Sequence, residues 1–256
     1  MTGAPEVLVL PDPAAIAAEA AERFAAICAR AAASRGACAV ALSGGETPKR
    51  LYAVLASDAY RRRVPWERLQ VFWGDERCVP PDDPRSNYRV ARDLLLSKVP
   101  VPVEHVYPMP GDTADHEAAA AAYEKTLRAA LPRTADGWPR FDLVLLGLGD
   151  NAHTASLFPH SAVLRERDRA VVAEFVKDAG MWRMTLTAPG LNRAAETLFL
   201  VSGASKAEAV RAVLEGPADP DEVPAALVRP VDGRVTWLLD APAASRLTRF
   251  RPAAGA

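Results

Sequence analysis

The sequence predicts an α/β fold in which a mostly parallel sheet is flanked by helices on both faces. Short apolar runs alternate with longer segments of helical periodicity along the 256 residues, an order that favours parallel strands. Half of the residues are apolar, which is enough for a sizeable core. Because no repeat or linker divides the chain, we expect one domain over residues 1–256, with about 250–256 as a loose tail.

The first half of the chain contains apolar runs that are each followed by a helical segment. Strands are expected at 6–10, 37–42 and 69–73. Asp12 is placed to cap the first helix, and Gly36 suits its end. The predicted buried face of this helix consists of Ile16, Ala20, Phe24 and Ile27.

The remaining elements follow the same alternation. A helix is predicted to start at Pro48 with Thr47 as its cap, and another over "NYRVARDLLLSKV" with Ser86 or Asn87 at its cap. The segment 115–131 predicts a strong helix and "SKAEAVRAVLEG" a further one. Strands are expected in "FDLVLLGLG" and in 197–203, and one or two short strands at the end, of which "RVTWLL" is the clearer; "HVYPMP" is a short strand or an extended piece.

Composition and charge exclude several functional classes. The formal net charge is -1, so nothing global indicates a nucleic-acid or membrane partner. The three cysteines are scattered, and neither a disulfide framework nor a zinc site is suggested. The first residues have no basic n-region and are interrupted by prolines, so we expect no secretory signal there, and no apolar run reaches the ~20 residues that span a bilayer. We expect a cytoplasmic protein with no cofactor and no metal.

Four predicted strands end in loops that are suited to ligand binding, since ligands of such sheets bind beyond the carboxyl ends of the strands. The first loop is "LSGGETP". Its glycines let backbone N–H groups approach a ligand, and the helix N-terminus points to the same place. Ser43, Gly44, Gly45 and Thr47 therefore form a candidate phosphate cradle; a simple glycine turn with a capped helix is the alternative.

The second loop, "FWGDERCVPPDDPRSNY", places charged residues directly after a strand. Arg77 carries a guanidinium that matches phosphate or carboxylate oxygens. Asp75 is suited to orient a sugar hydroxyl or a neighbouring side chain. The alternative is a solvated corner of the protein.

The third and fourth loops supply a candidate base and a further cation. Gly147 and Gly149 turn the chain off the strand and carry His153, which can accept a proton near neutral pH, toward the ligand. Lys206, in the first turn of a helix, opposes the helix dipole unless an anion binds there. The alternatives are a histidine that caps a helix around "TASLF" and an exposed surface lysine.

Taken together, the motifs resemble the 6-phosphogluconolactonase family of the pentose phosphate pathway. The matching stretches include "LSGGETPKRLY", "FWGDERCVPPDDPRSNY", "FDLVLLGLGDNAHTASLFP" and "RMTLTAPGLNRAAETLFLVSGASKAEAV". The resemblance implies a Rossmann-like fold, no metal, and hydrolysis of 6-phospho-D-glucono-1,5-lactone. It places the catalytic histidine on His153, the phosphate contacts on the Ser43–Gly45 turn, Arg77 and Lys206, and Arg183 near the substrate.

The family pattern is broken just before this histidine. Family members usually have Asp-Gly-His, whereas this chain has Asn151, Ala152 and His153. Alanine requires a turn that L-residues adopt easily, and asparagine carries no charge to strengthen the base. Asp150, one position earlier, is the candidate substitute for the missing aspartate.

We hypothesise that neutral His153 activates water against the lactone carbonyl and then protonates the ring oxygen, with backbone N–H groups near 149–153 facing the oxyanion. The expected partner is a small sugar-phosphate substrate, and the chain is expected to be a monomer or weak homodimer. Two alternatives stay open: a glucosamine-6-phosphate deaminase-like isomerase, and a non-catalytic sugar-phosphate sensor.

Overall fold

A computed structural model describes residues 4–217 and 219–250 of the chain. Most of the predicted loose tail therefore lies outside the described residues. The helices are α1 (Pro13–Arg35), α2 (Glu46–Leu55), α3 (Asp58–Arg61), α4 (Asn87–Leu94), α5 (His116–Ala130), α6 (Ala188–Leu191) and α7 (Ala207–Glu215). The strands are β1 (Glu6–Leu10), β2 (Cys38–Leu42), β3 (Leu69–Trp73), β4 (Asp75–Arg77), β5 (Leu143–Leu146), β6 (Val171–Val176), β7 (Met181–Leu186), β8 (Glu196–Val201) and β9 (Arg234–Asp240).

Six strands form one parallel sheet in the order β1–β9–β8–β5–β2–β3. Its central strands β2 and β5 are buried along their whole length. The edge strand β1, in contrast, is only partly buried. The predicted α/β class with a mostly parallel sheet and flanking helices is confirmed.

Helix α1 shows how the sequence determines a single element. Asp12 accepts a hydrogen bond from the backbone N–H of Ala15 at 2.8 Å, and Gly36 ends the helix with φ 80°, as the capping signals predict. The predicted apolar face is buried against the sheet. Its members are Ile16, Ala20, Phe24 and Ile27.

A second sheet of three antiparallel strands, in the order β4–β7–β6, was not predicted. Residues 75–77 were expected in a loop, but they form β4, which is separated from β3 by Gly74 alone. The chain thus passes directly from the parallel sheet into the small one. Since β6 and β7 carry exposed as well as buried residues, they lack the continuous apolar run that marks the parallel strands.

The start of α2 also differs from the prediction. The helix begins at Glu46 with Gly45 as its N-cap, and no side chain caps it. Gly45 has φ 105°, a conformation that favours glycine, so the turn itself sets the helix start. Thr47 is therefore inside the first turn and is not the cap. In the described residues, no helix has the length and apolarity needed to span a bilayer.

Candidate functional site

A cleft of about 400 Å³ lies at the carboxyl ends of β3, β2, β5 and β8, which are four consecutive neighbours in the sheet. The loops that follow these strands form one wall, and strands β4 and β7 of the small sheet contribute to another. The cleft is lined by most of the predicted site residues, namely Ser43, Gly44, Gly45, Asp75, Arg77, Gly147, Gly149, His153, Arg183 and Lys206.

The Ser43–Gly45 turn is hydrogen-bonded to a buried tyrosine. The hydroxyl of Tyr52 donates to the carbonyl oxygen of Ser43 at 2.6 Å and accepts from the Ser43 N–H at 3.2 Å. The Ser43 Oγ is buried and has no partner in the described residues. Because an unpaired buried hydroxyl costs free energy, this group is suited to a ligand oxygen.

Asp75 and Asn87 connect this turn to the small sheet. The Asn87 Nδ2 donates to the carbonyl oxygen of Asp75 at 2.9 Å, while its Oδ1 packs against Gly44 so closely that a Cβ there would lie 1.9 Å away. Asp75 also accepts from the Ser156 Oγ at 2.8 Å. The site therefore requires glycine at position 44, and Asp75 is fixed by neighbours from two other segments.

Glu76 has a structural role beside the site. Its carboxylate accepts backbone N–H bonds from Arg77, Asn87 and Tyr88, and it is 2% exposed. Burial raises the pKa of this carboxyl despite those bonds. Ser86 is the N-cap of α4, as predicted, so Glu76 and Ser86 together anchor the helix start that carries Asn87.

Two arginines face each other across β4 and β7. Arg77 and Arg183 are direct partners in the antiparallel register, and like charges in that position repel. Each has a buried Nε without a partner in the described residues. Burial lowers the pKa of Arg183, the charge of Asp75 raises it, and Arg77 lowers it by a smaller amount. An anion between the two guanidinium groups would reduce their repulsion and would give the unpartnered Nε groups an acceptor.

Lys206 lies in a 3₁₀ turn just before α7, and its ammonium pairs with the carboxylate of Asp150. The hydroxyl of Ser205 donates to the same carboxylate oxygen at 3.1 Å. Lys206 lowers the pKa of Asp150. Asp150 is therefore paired with Lys206 and does not take the place of the missing family aspartate as a hydrogen-bond partner of His153, although its charge slightly raises the pKa of that imidazole.

His153 is instead oriented by Asn151. Its Nδ1 lies 2.6 Å from the Asn151 Oδ1, and its backbone N–H donates to the same oxygen at 3.3 Å. Since that oxygen accepts, Nδ1 carries the hydrogen and Nε2 is left as an acceptor. Phe158 stacks on the ring at a centroid distance of 4.2 Å. Burial lowers the pKa of His153 to about 4, with Asp75 acting in the opposite direction.

The segment around His153 is a strained turn, and the helix considered around "TASLF" does not form. Ala152, Ala155 and His160 all have positive φ, at 60°, 47° and 62°. Ala152 thus keeps the left-handed conformation that favours glycine, contrary to the expectation of an easily allowed turn. Such strain concentrates at functional sites. His160 pairs with Asp221 on an exposed loop and does not line the cleft.

The two predicted glycines differ in importance. A Cβ on Gly149 would lie 2.0 Å from the His153 Nδ1, whereas one on Gly147 would meet nothing within 4 Å. Only Gly149 is required for the imidazole to pack where it does. Backbone N–H groups of this turn are largely used internally: those of Gly149, Ala152 and His153 all donate within residues 149–153, which weakens the expectation that they face an oxyanion.

Some predicted residues lie outside the cleft, and some lining residues were not predicted. Thr47, Asp150 and Asn151 do not line it. The sequence motifs suggested Asn87 only as a cap, and nothing marked the aromatic ring that stacks on the histidine. The lining residues that were not predicted are Asn87, Leu148, Thr154, Ala155, Phe158, Asp178 and Ala179.

Comparisons with known proteins agree on one family. The sequence profile described as "Glucosamine-6-phosphate isomerases/6-phosphogluconolactonase" matches residues 11–237. A 6-phosphogluconolactonase from Synechocystis is 46% identical over 218 residues, which cover 85% of this chain and 88% of that protein. Another from Nostoc is 40% identical over 242 residues, covering 94% and 98%.

A solved structure shows the same fold. The 6-phosphogluconolactonase from Trypanosoma brucei superposes with a TM-score of 0.85 at 31% sequence identity. The match covers 97% of this chain and all of that one. The parallel sheet and the elements that surround the cleft are therefore shared over nearly the whole length.

Proposed function

The chain belongs to the family of glucosamine-6-phosphate isomerases and 6-phosphogluconolactonases, and from that premise we propose that it hydrolyses 6-phospho-D-glucono-1,5-lactone to 6-phospho-D-gluconate. The names of the relatives at 40–46% identity favour the lactonase over the isomerase. The substrate class is a sugar phosphate, as the pentose phosphate pathway requires. We propose a monomer or a weak homodimer as the working form of the protein.

One observation carries the catalytic part of the proposal. The hydrogen bond of 2.6 Å between His153 and Asn151 fixes the Nδ1–H tautomer, and the ring lines the cleft with the other nitrogen as an acceptor. A lowered pKa, to about 4, keeps the imidazole neutral over the physiological range. A general base must be unprotonated to work, and His153 meets that condition.

The reaction then follows from proton transfer at Nε2. His153 takes a proton from water as the water oxygen bonds to the lactone carbonyl carbon, which gives a tetrahedral oxyanion. The imidazolium next donates that proton to the ring oxygen as the carbon–oxygen bond breaks. The product is the open-chain carboxylic acid, which loses its proton to solvent. Catalysis of this type typically contributes ~10²–10⁴-fold.

The phosphate end of the substrate is assigned to the cationic part of the cleft, which Arg77, Arg183 and Lys206 form. Arg77 and Arg183 oppose each other in the register of β4 and β7, and a phosphate dianion would neutralise their repulsion. The Ser43–Gly45 turn adds a free hydroxyl and the N-terminus of α2. Binding energy from this remote group would hold the lactone carbonyl over His153.

The test compares two histidine variants on freshly prepared 6-phosphogluconolactone, with the spontaneous rate subtracted. His153→Ala is expected to lower kcat by ~10²–10⁴-fold while the Kd for 6-phosphogluconate changes by less than about threefold. His160→Ala, in the exposed loop, is the matched control and keeps wild-type rates. Near-normal turnover by His153→Ala would refute the assignment, and ammonia release from glucosamine 6-phosphate by the wild type would favour the isomerase.

A further inference from the structure

The ion pair between Lys206 and Asp150 sits at the rim of the cleft and uses a cation that the proposed substrate needs. The Lys206 side chain is 26% exposed and lines the cleft, whereas the Asp150 side chain is 65% exposed and does not. Ser205 donates to the same Asp150 oxygen. The carboxylate therefore holds the ammonium from the solvent side.

Lys206 differs in this respect from the other two cations of the cleft. Within residues 4–217 and 219–250, neither Arg77 nor Arg183 makes an ion pair with a carboxylate. The Arg77 Nη1 donates to a neutral acceptor, the carbonyl oxygen of Arg85, at 2.5 Å. Asp75 and Glu76 act on Arg183 through their charge, but among the three cations only Lys206 is in direct contact with a carboxylate in the described residues.

We propose that Asp150 is an affinity-setting residue: an internal anion that competes with the phosphate group of substrate and product for Lys206 and so keeps the affinity for both below what the cleft would otherwise reach. The inference rests on the proposed function, because it takes the phosphate to be the ligand group at Lys206. It assigns Asp150 a role in binding and release and none in proton transfer.

The physical argument is a competition between two anions for one ammonium. Lys206 has three donors, so it can contact both, but the phosphate dianion and the carboxylate then repel each other at short range. Binding must either break the pair or accept that repulsion. In both cases the ligand gains less binding free energy from Lys206 than it would without Asp150. Dissociation of the phosphorylated product is faster as a result.

The expected size of the effect is set by exposure. Asp150 is mostly solvent-exposed, and exposed ion pairs are weak and screened by salt. Asp150→Asn removes the charge and keeps an acceptor for Ser205. We expect the Kd for 6-phosphogluconate to fall by roughly two- to fivefold at low salt, with a parallel fall in KM and in the product-inhibition constant.

The experiment is a double-mutant cycle read by calorimetric binding of 6-phosphogluconate and of inorganic phosphate to the full chain. The variants are Asp150→Asn, Lys206→Gln and the pair together. Asp178→Asn is the matched control, because Asp178 is an exposed carboxylate that lines the same cleft and, among the described residues, has no cation partner. Unphosphorylated gluconate tests the other anionic end of the product.

The inference holds if Asp150→Asn tightens both phosphate ligands, if the gain disappears in the Lys206→Gln background, and if gluconate binding is unchanged. Asp178→Asn is expected to change both Kd values by less than about twofold, and a gain as large as that from Asp150→Asn overturns the inference, because removal of any nearby negative charge would then suffice. No tightening by Asp150→Asn, a gain that survives Lys206→Gln, or a wild type that binds neither phosphate ligand overturns it. All of these outcomes are measured as Kd values. The inference about Asp150 can therefore fail while lactone hydrolysis is normal, and lactone hydrolysis can be absent while the inference about Asp150 holds.

Discussion

The contact between Asn151 and His153 predicts how the rate of the proposed reaction depends on pH. Asn151 holds the His153 Nδ1 at 2.6 Å without charge, and burial lowers the pKa of the imidazole to about 4. A histidine with a lowered pKa is the active base above that pKa and loses activity as pH falls through it. For the free enzyme, kcat/KM is therefore expected to stay flat from neutral pH down to about pH 5 and to fall near pH 4.

Replacing Asn151 by aspartate adds a charge beside the ring. With charge centres about 4 Å apart, the attraction for the imidazolium is about 1 kcal/mol at the dielectric constant of water and about 4 kcal/mol at an effective value near 20. Asn151 is exposed, so the lower end applies. One pKa unit corresponds to about 1.4 kcal/mol, and we expect the pKa of His153 to rise by roughly one unit.

The assay is lactone hydrolysis between about pH 3.5 and 7, followed by NMR, with the spontaneous rate measured and subtracted at each pH. The acid limb of kcat/KM should move upward by about one unit in Asn151→Asp, and the rate at pH 7 should rise by up to about tenfold because the base is stronger. Asn151→Ala is the control: it loses orientation, so its rate falls without an upward shift of the limb. Identical limbs in wild type and Asn151→Asp would refute the reasoning.

Further predictions concern the turn that carries His153 and the thiol of Cys78. Gly149→Ala places a Cβ 2.0 Å from the His153 ring and should lower kcat by ~10²-fold, whereas Gly147→Ala, with open space, should retain activity; equal losses in steady-state kinetics would contradict this. Ala152→Gly relieves backbone strain of about 1–2 kcal/mol, but it also loses a buried methyl group worth about 0.8 kcal/mol and makes the unfolded chain more flexible. The free energy of unfolding, measured in urea, should therefore change by less than about 1 kcal/mol. Ala152→Val should lower that free energy by more than this amount. Burial raises the pKa of Cys78 to about 11, so Cys78→Ser should keep kcat/KM within about twofold and a thiol reagent at pH 7 should label the native protein slowly; fast labelling would disagree.

The parallel sheet was predictable because its strands carry a strong local signal. β2 and β5 are continuous apolar runs, each followed within two residues by a glycine, and α1 is marked by a cap at each end. The small sheet was missed because β4 has three residues and follows β3 after one glycine. Its strands are defined by pairing with distant segments, which a local pattern does not record.

Site residues were predictable from the sequence where they directly follow the end of a strand. They were less predictable where contacts between distant segments bring a residue into the cleft. Arg77 and His153 lie in the cleft as the strand-end rule suggests. Thr47 does not, because Gly45 rather than a side chain sets the start of α2. Asn87 and Phe158 reach the cleft from segments whose sequence gives only capping or apolar signals, and their roles depend on contacts made across the fold.

The directly opposed Arg77 and Arg183 have a consequence for how long the protein survives in a cell. Two like charges held in register lower the stability of the ligand-free chain, and an anion that neutralises them stabilises the folded state by mass action. Phosphorylated metabolites would then protect the protein from unfolding and from proteases in proportion to their concentration.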